Sequence, residues 1–248
     1  PESSLTAIAR RYEIDCRKTR NHRLGGSRSL ETRKVALVTG SRRGIGRATV
    51  FALAEAGFDI VVNDLEQDHE VEATLQGLAE RGARSRFCQG DIGDLAVHAR
   101  LLDAAYDGFG RLDCLVNNAG VIAQRRADIL ETTPDEIDDL MRVNLRGTFF
   151  LTQAAARRMI AEDPDREGRS IVTITSANAL MVSPEKAAYC ISKAASSMAT
   201  QLFAVRLAEH QIPVFEIRPG LIVTDMSAPV RERYGAMIQD GLTPIAAA

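Results

Sequence analysis

The chain has no tryptophan, and aromatic residues make up only 5% of its 248 positions. A flat aromatic or steroid ligand held by stacking is therefore not suggested. No run of about 18 apolar residues occurs, so no helical membrane span is expected. Four histidines and four cysteines are scattered, with no Cys-x-x-Cys and no His cluster. That spacing argues against zinc, and no metal is expected. Cys88 and Cys114 fall inside apolar runs and read as buried thiols of a reducing, cytoplasmic compartment. The formal net charge is −2, which argues against nucleic acid as a partner.

The charge that is present is uneven. Residues 1–34 hold nine Lys/Arg against four Asp/Glu, and the remainder 22 against 29. The start has no apolar core of the signal-peptide kind, so secretion is not expected. We read residues 1–33 as a basic N-terminal extension without a catalytic part, and 34–248 as a single domain.

From Lys34 onward short apolar runs alternate with helical patterns. Strands are predicted at 35–39, 58–63, 85–89, 112–117, 170–175 and 212–218. Helices are predicted at 44–56, 67–81, 94–109, 134–161 and 185–210. Thr133-Pro134-Asp135-Glu136 is a helix start: a cap, a proline suited to the first turn, and acids that complement the dipole. Continuous apolar strands alternating with helices predict an α/β fold. It is a Rossmann-like doubly wound parallel sheet in three layers, with its ligand site outside the carboxyl ends of the strands.

Every motif lies at such an end. Gly40-Ser41-Arg42-Arg43-Gly44-Ile45-Gly46 joins the first strand to the first helix. Glycines there permit close backbone approach to a pyrophosphate, and the helix N-terminus offers free N–H groups. Alone, such a segment could be a tight turn. Asp64-Leu65 ends the second strand. A carboxylate there accepts bonds from adenosine ribose hydroxyls and repels a 2′-phosphate, which favours NAD(H) over NADP(H). Arg42 and Arg43 pull the other way. Asp91-Ile92, ending the third strand, suits an adenine amino group, with backbone offered at Ile92. Asn117-Asn118-Ala119-Gly120, ending the fourth, lets the chain pass close to a cofactor. Each of these could also be an ordinary turn.

Tyr189 and Lys193 are four residues apart on a predicted helix, and Ser176 lies thirteen before the tyrosine. Positions i and i+4 share a helix face. A free phenol has a pKa of about 10, and a neighbouring ammonium favours the phenolate. The plain alternative is a solvated helix face.

In this order these residues resemble the short-chain dehydrogenase/reductase family, from about Val35 to Met226. Within it the chain is most similar to the group named for 3-oxoacyl-[acyl-carrier-protein] reductases. The resemblance implies roles. Tyr189 would be the general acid/base, and Lys193 would lower its pKa and bind the nicotinamide ribose. Ser176 would bond the substrate oxygen, and Asn144 would hold a water relaying protons to Lys193. Pro219, Gly220, Ile222 and Thr224 would bracket the nicotinamide. A homodimer or homotetramer is implied, as is a hydride transfer between NAD(H) and a secondary alcohol or ketone, such as a 3-oxoacyl thioester or sugar. A non-catalytic nucleotide-binding scaffold or sensor is the alternative.

The family pattern continues beyond Ala248 with another helix and a seventh strand, about 35–40 residues. The C-terminal strand is therefore expected to be missing, leaving the sixth as an open apolar edge. Arg125 and Arg126 could favour an anionic substrate, although solvent-facing charges are the commoner case.

Overall fold

The computed structural model describes residues 33–123, 125–162 and 166–224, and the backbone of 245–247. The expected basic extension, apart from Arg33, lies outside the described residues. Val35, Ala36, Leu37 and Val38 are all fully buried, because strand β1 (Lys34–Thr39) is covered on both faces. It pairs in parallel with β2 (Phe58–Asp64) on one side and β4 (Cys114–Asn117) on the other. With β3 (Ser85–Gln89), β5 (Ser170–Ile174) and β6 (Val214–Ile217), the sheet order is β3-β2-β1-β4-β5-β6, all parallel. The order reverses between β1 and β4, which opens a crevice at their carboxyl ends.

Side chains of alternating parity fill two cores. Ala36, Val38, Ile60, Val62 and Val116 meet α1 (Gly44–Glu55) and α2 (His69–Glu80) through Val50, Ala54 and Leu78. Val35, Leu37, Val61, Leu115 and Ile171 meet the other helices through Leu101, Leu151, Met159 and Leu207. Those helices are α3 (Val97–Phe109), α5 (Thr148–Glu162) and α6 (Ala187–Leu207). Asp113, fully buried, accepts from the Val35 N–H at 2.8 Å and from Arg111 at 2.6 and 2.7 Å, fixing β4 against β1.

The helix expected over 134–161 is interrupted. Helix α4 (Pro134–Met141) begins with the predicted cap: Thr133 Oγ1 accepts from Glu136 N–H, and Glu136 accepts from Thr133 N–H at 3.0 Å. A π-turn at Arg142–Gly147 then separates it from α5. The cause is tertiary. A Cβ at Gly147 would stand 2.5 Å from the Ile92 carbonyl oxygen, and the Asn144 amide is held by the backbone of Val121. Such widened turns gather at functional sites.

Among the described residues β6 pairs with β5 alone, and Phe215 and Ile217 are exposed on it. An unexpected second sheet pairs β7 (Leu221–Val223) in parallel with β8 (Ile245–Ala247). No helix among the described residues is long and apolar enough to cross a membrane.

Candidate functional site

The glycine segment turns between β1 and α1 with Gly40 at φ +63° and Gly44 at +57°, a left-handed backbone that side chains disfavour. A Cβ at Gly46 would stand 2.2 Å from the Gly40 carbonyl oxygen and 2.7 Å from Asn118 Nδ2. Asn118 locks this approach by donating to the carbonyls of Thr39 and Gly40 at 2.9 and 2.8 Å. Thr39 Oγ1 accepts from the N–H groups of Asn118 and Ala119. Helix α1 has no side-chain N-cap and no acid in its first turn, whereas Asp68 caps α2 through Glu70 and Val71. The positive end of α1 thus carries no capping side chain or first-turn acid of its own, and these residues fit a dinucleotide pyrophosphate.

At the end of β2 the Asp64 carboxylate accepts from the N–H groups of Arg42 at 3.1 Å and Leu65 at 2.9 Å. The Arg42 guanidinium lies 3.4 Å from Asp64 and 2.6 Å from Glu66, and also pairs with Asp68. Burial opposes its charge, but these acids outweigh burial and raise its pKa. Arg47, the next cation along α1, pairs with Glu70. Asp91 is engaged by Arg142 at 2.7 Å and by the Gly93 N–H at 2.8 Å. Ile92 is buried, and its carbonyl meets His98.

On the far side of the crevice, α6 carries Tyr189 and Lys193. The Lys193 nitrogen lies 5.8 Å from the centre of the Tyr189 ring and donates to the Ile174 carbonyl at 3.3 Å. Ser176, just past β5, hydrogen-bonds the Tyr189 phenol and accepts from the Asn178 N–H at 3.1 Å. A Cβ at Gly120 would meet both Asn144 Oδ1 and Lys193 Nζ at 3.2 Å, so only glycine leaves this corner open. Asn144 donates to the Val121 carbonyl and to Ser192 Oγ, and accepts from the Val121 N–H; its own carbonyl takes Ser196 Oγ at 2.7 Å. Its amide is thus bonded to a neighbouring loop and to α6.

The titration of this corner departs from expectation. Burial pushes the Tyr189 phenol up; the Ser176 hydrogen bond only partly offsets this, and Cys190 adds to it. Burial also lowers the Lys193 ammonium to about 8. Four-residue spacing predicts proximity, but it says nothing of how deeply both groups are buried, and burial dominates here.

Pro219 accepts from the Ala177 N–H at 2.9 Å, and a Cβ at Gly44 would lie 3.4 Å from Thr224. The residues after β6 are thereby drawn toward the glycine turn and Ser176; Ile222 is half-buried on β7. Arg125 is paired with Glu131 and Glu136, and Arg126 with Glu185. Sequence reading missed Thr175, Ser197, Glu216 and Arg218, which form one hydrogen-bonded cluster behind Ser176. The available signal was an acid inside the otherwise apolar β6.

A family profile described as short chain dehydrogenase matches residues 34–235. The chain belongs to the short chain dehydrogenase family. It is 36% identical over 216 residues to the versicolorin reductase of Emericella nidulans, covering 86% of this chain and 76% of the relative. It is 35% identical over 198 residues to the 2-dehydro-3-deoxy-D-gluconate 5-dehydrogenase of Dickeya dadantii, covering 80% and 75%. Among solved structures it is similar to a 3-oxoacyl-[acyl-carrier protein] reductase from Brucella melitensis in complex with NAD. That match has 47% identity and a TM-score of 0.82, over 89% of this chain and 86% of the other. Membership makes the chain an oxidoreductase of this family acting on small molecules, on the parallel sheet described above.

Proposed function

We propose that residues 34–248 form one dinucleotide-binding and catalytic domain that interconverts a secondary alcohol and a ketone with NAD(H). The observation that carries this is the chain of neighbours on one side of the crevice: Lys193 beside Gly120, the Tyr189 ring centre 5.8 Å from the Lys193 nitrogen, and Ser176 bonded to the Tyr189 phenol. When bound, the nicotinamide donates or accepts the hydride. Gly40–Gly46 would hold the pyrophosphate, Asp64 the adenosine ribose, Lys193 the other ribose, and Pro219 to Thr224 the nicotinamide side. Ser176 orients the substrate oxygen. In the reducing direction the Tyr189 hydroxyl gives its proton to that oxygen; in the oxidising direction the phenolate takes it back. Asn144 holds the Val121 backbone and Ser192 in place around Lys193.

Preference for NAD(H) over NADP(H) rests on Asp64 and the acids that surround Arg42 beside it. One guanidinium faces the three carboxylates of Asp64, Glu66 and Asp68, so a 2′-phosphate would enter a field that is already net negative. The substrate is a carbonyl or alcohol of the 3-oxoacyl or sugar kind carried by such relatives. Arg125 and Arg126, matched by acids, give no support to an anionic substrate. The exposed stripe Ile191, Met198, Leu202 and Val205 along α6 supports a homodimer or homotetramer. The free thiols of Cys88, Cys114 and Cys190 suit a reducing cytoplasm.

The test is titration with NAD(H) and NADP(H), followed by a nicotinamide-absorbance screen over alcohols and ketones that begins with ethyl acetoacetate. Tighter NAD(H) binding and turnover of a ketone are expected. Tighter NADP(H) binding would overturn the cofactor assignment. Binding without turnover on any compound would favour a nucleotide-binding sensor.

A further inference from the structure

Glu216 sits on β6 with its side chain only 13% exposed, in a strand whose other members are Val214, Phe215 and Ile217. A carboxylate costs more there than an apolar residue unless its oxygens are fully used. They are. One oxygen accepts from Thr175 Oγ1 at 2.6 Å and Arg218 Nε at 2.9 Å. The other accepts from Ser197 Oγ at 3.1 Å and from the Arg218 terminal nitrogen at 2.7 Å, and that same nitrogen donates to Ser197 at 2.9 Å. Burial opposes ionisation, but the bonds from Arg218, Thr175 and Ser197 outweigh it and hold the carboxyl below the usual range.

The partners are telling. Thr175 immediately precedes Ser176. Ser197 is one helical turn beyond Lys193 on α6. Glu216 therefore ties the strand end that presents the serine to the helix that presents the tyrosine and lysine. Backbone bonds from Thr175 N–H to Ile217 and from Ala177 N–H to Pro219, both 2.9 Å, hold the same strand end to the same segment. We propose that Glu216 is a positioning residue, which sets the register of Ser176 against Tyr189 through Thr175 and Ser197.

This inference rests on the catalytic reading above. Its test compares wild type, E216A, E216Q, T175V and the E216A/T175V double variant. The readouts are NADH-dependent reduction of ethyl acetoacetate or of the fastest ketone in the screen, NADH affinity and melting temperature, with Y189F alongside. E216A is expected to lower kcat by about 10–100-fold, the cost of an ångström-scale misplacement, while KM and NADH affinity change less than about threefold. E216Q, which keeps an acceptor for Thr175, recovers part of that loss. T175V loses several-fold, and the double variant is no slower than E216A, because both act along one path. E216A at the wild-type rate, or a loss that follows NADH affinity with no recovery in E216Q, overturns the proposal. If E216A does not fold, T175V decides: an unchanged kcat overturns it. An active Y189F overturns the catalytic reading and takes this inference with it; an inactive Y189F beside a fully active E216A overturns the inference alone.

Discussion

The Lys193 ammonium nitrogen lies 5.8 Å from the centre of the Tyr189 ring, both residues on α6. Burial lowers the lysine from 10.5 to about 8, which makes protein stability depend on pH. The unfolded chain keeps this proton up to about pH 10.5, and the folded chain releases it near pH 8. Between those values the unfolded state binds more protons, so stability from this group rises with pH. The unfolding free energy of wild type minus that of Lys193→Met should climb by up to about 3 kcal/mol from neutral pH to the top of this window. Urea denaturation across the range checks it, and a flat difference contradicts the burial of the ammonium.

Gly46→Ala should be among the most damaging small changes at the glycine turn. Its Cβ would meet the Gly40 carbonyl oxygen at 2.2 Å, and neither is at the end of a flexible side chain. Overpacking of this kind costs about 1–3 kcal/mol. The variant should melt earlier and lose more than about tenfold in dinucleotide affinity, about 1.4 kcal/mol. Gly220→Ala meets nothing within 4 Å among the described residues and should leave stability unchanged within about 0.5 kcal/mol.

Asp64→Asn should narrow the gap between the two cofactors. It removes one of the three acids around Arg42 and keeps one of the two acceptor oxygens that the N–H groups of Arg42 and Leu65 use. The ratio of NADP to NAD dissociation constants should fall by about tenfold, roughly one charge contact. Isothermal titration reads it directly, and an unchanged ratio would remove Asp64 from cofactor choice.

Leu202→Glu combined with Val205→Glu should convert an oligomer to monomers in sedimentation. Both side chains are exposed, Val205 at 81%, so the folded chain itself loses little. A monomeric wild type would contradict the assignment of this stripe as an interface.

Much of this architecture was legible from local pattern, and the departures have long-range causes. The short apolar run Val35–Val38, followed by a glycine-rich turn, reads as a strand buried on both faces, and β1 is one. Thr133 to Glu136 announced a helix start, and both capping bonds form. Nothing local marks the π-turn at Asn144, because it answers to Val121 and to the loop after β3. The β7–β8 pair involves three-residue strands too short to show a period. Tyr189 and Lys193 were marked as neighbours by spacing, but the direction of their titration depends on burial supplied by other elements. Glu216 reads as a stray acid until Thr175 and Ser197 are seen on its two oxygens.

The most direct measurement is single-turnover reduction of a ketone by NADH in Tyr189→Phe, with NADH affinity measured on the same protein. Loss of the phenolic proton donor should lower the rate by about 10²–10⁴-fold while NADH still binds with near wild-type affinity. Reduction of the ketone by the Tyr189→Phe variant at the wild-type rate would contradict the assignment of Tyr189 as the proton donor.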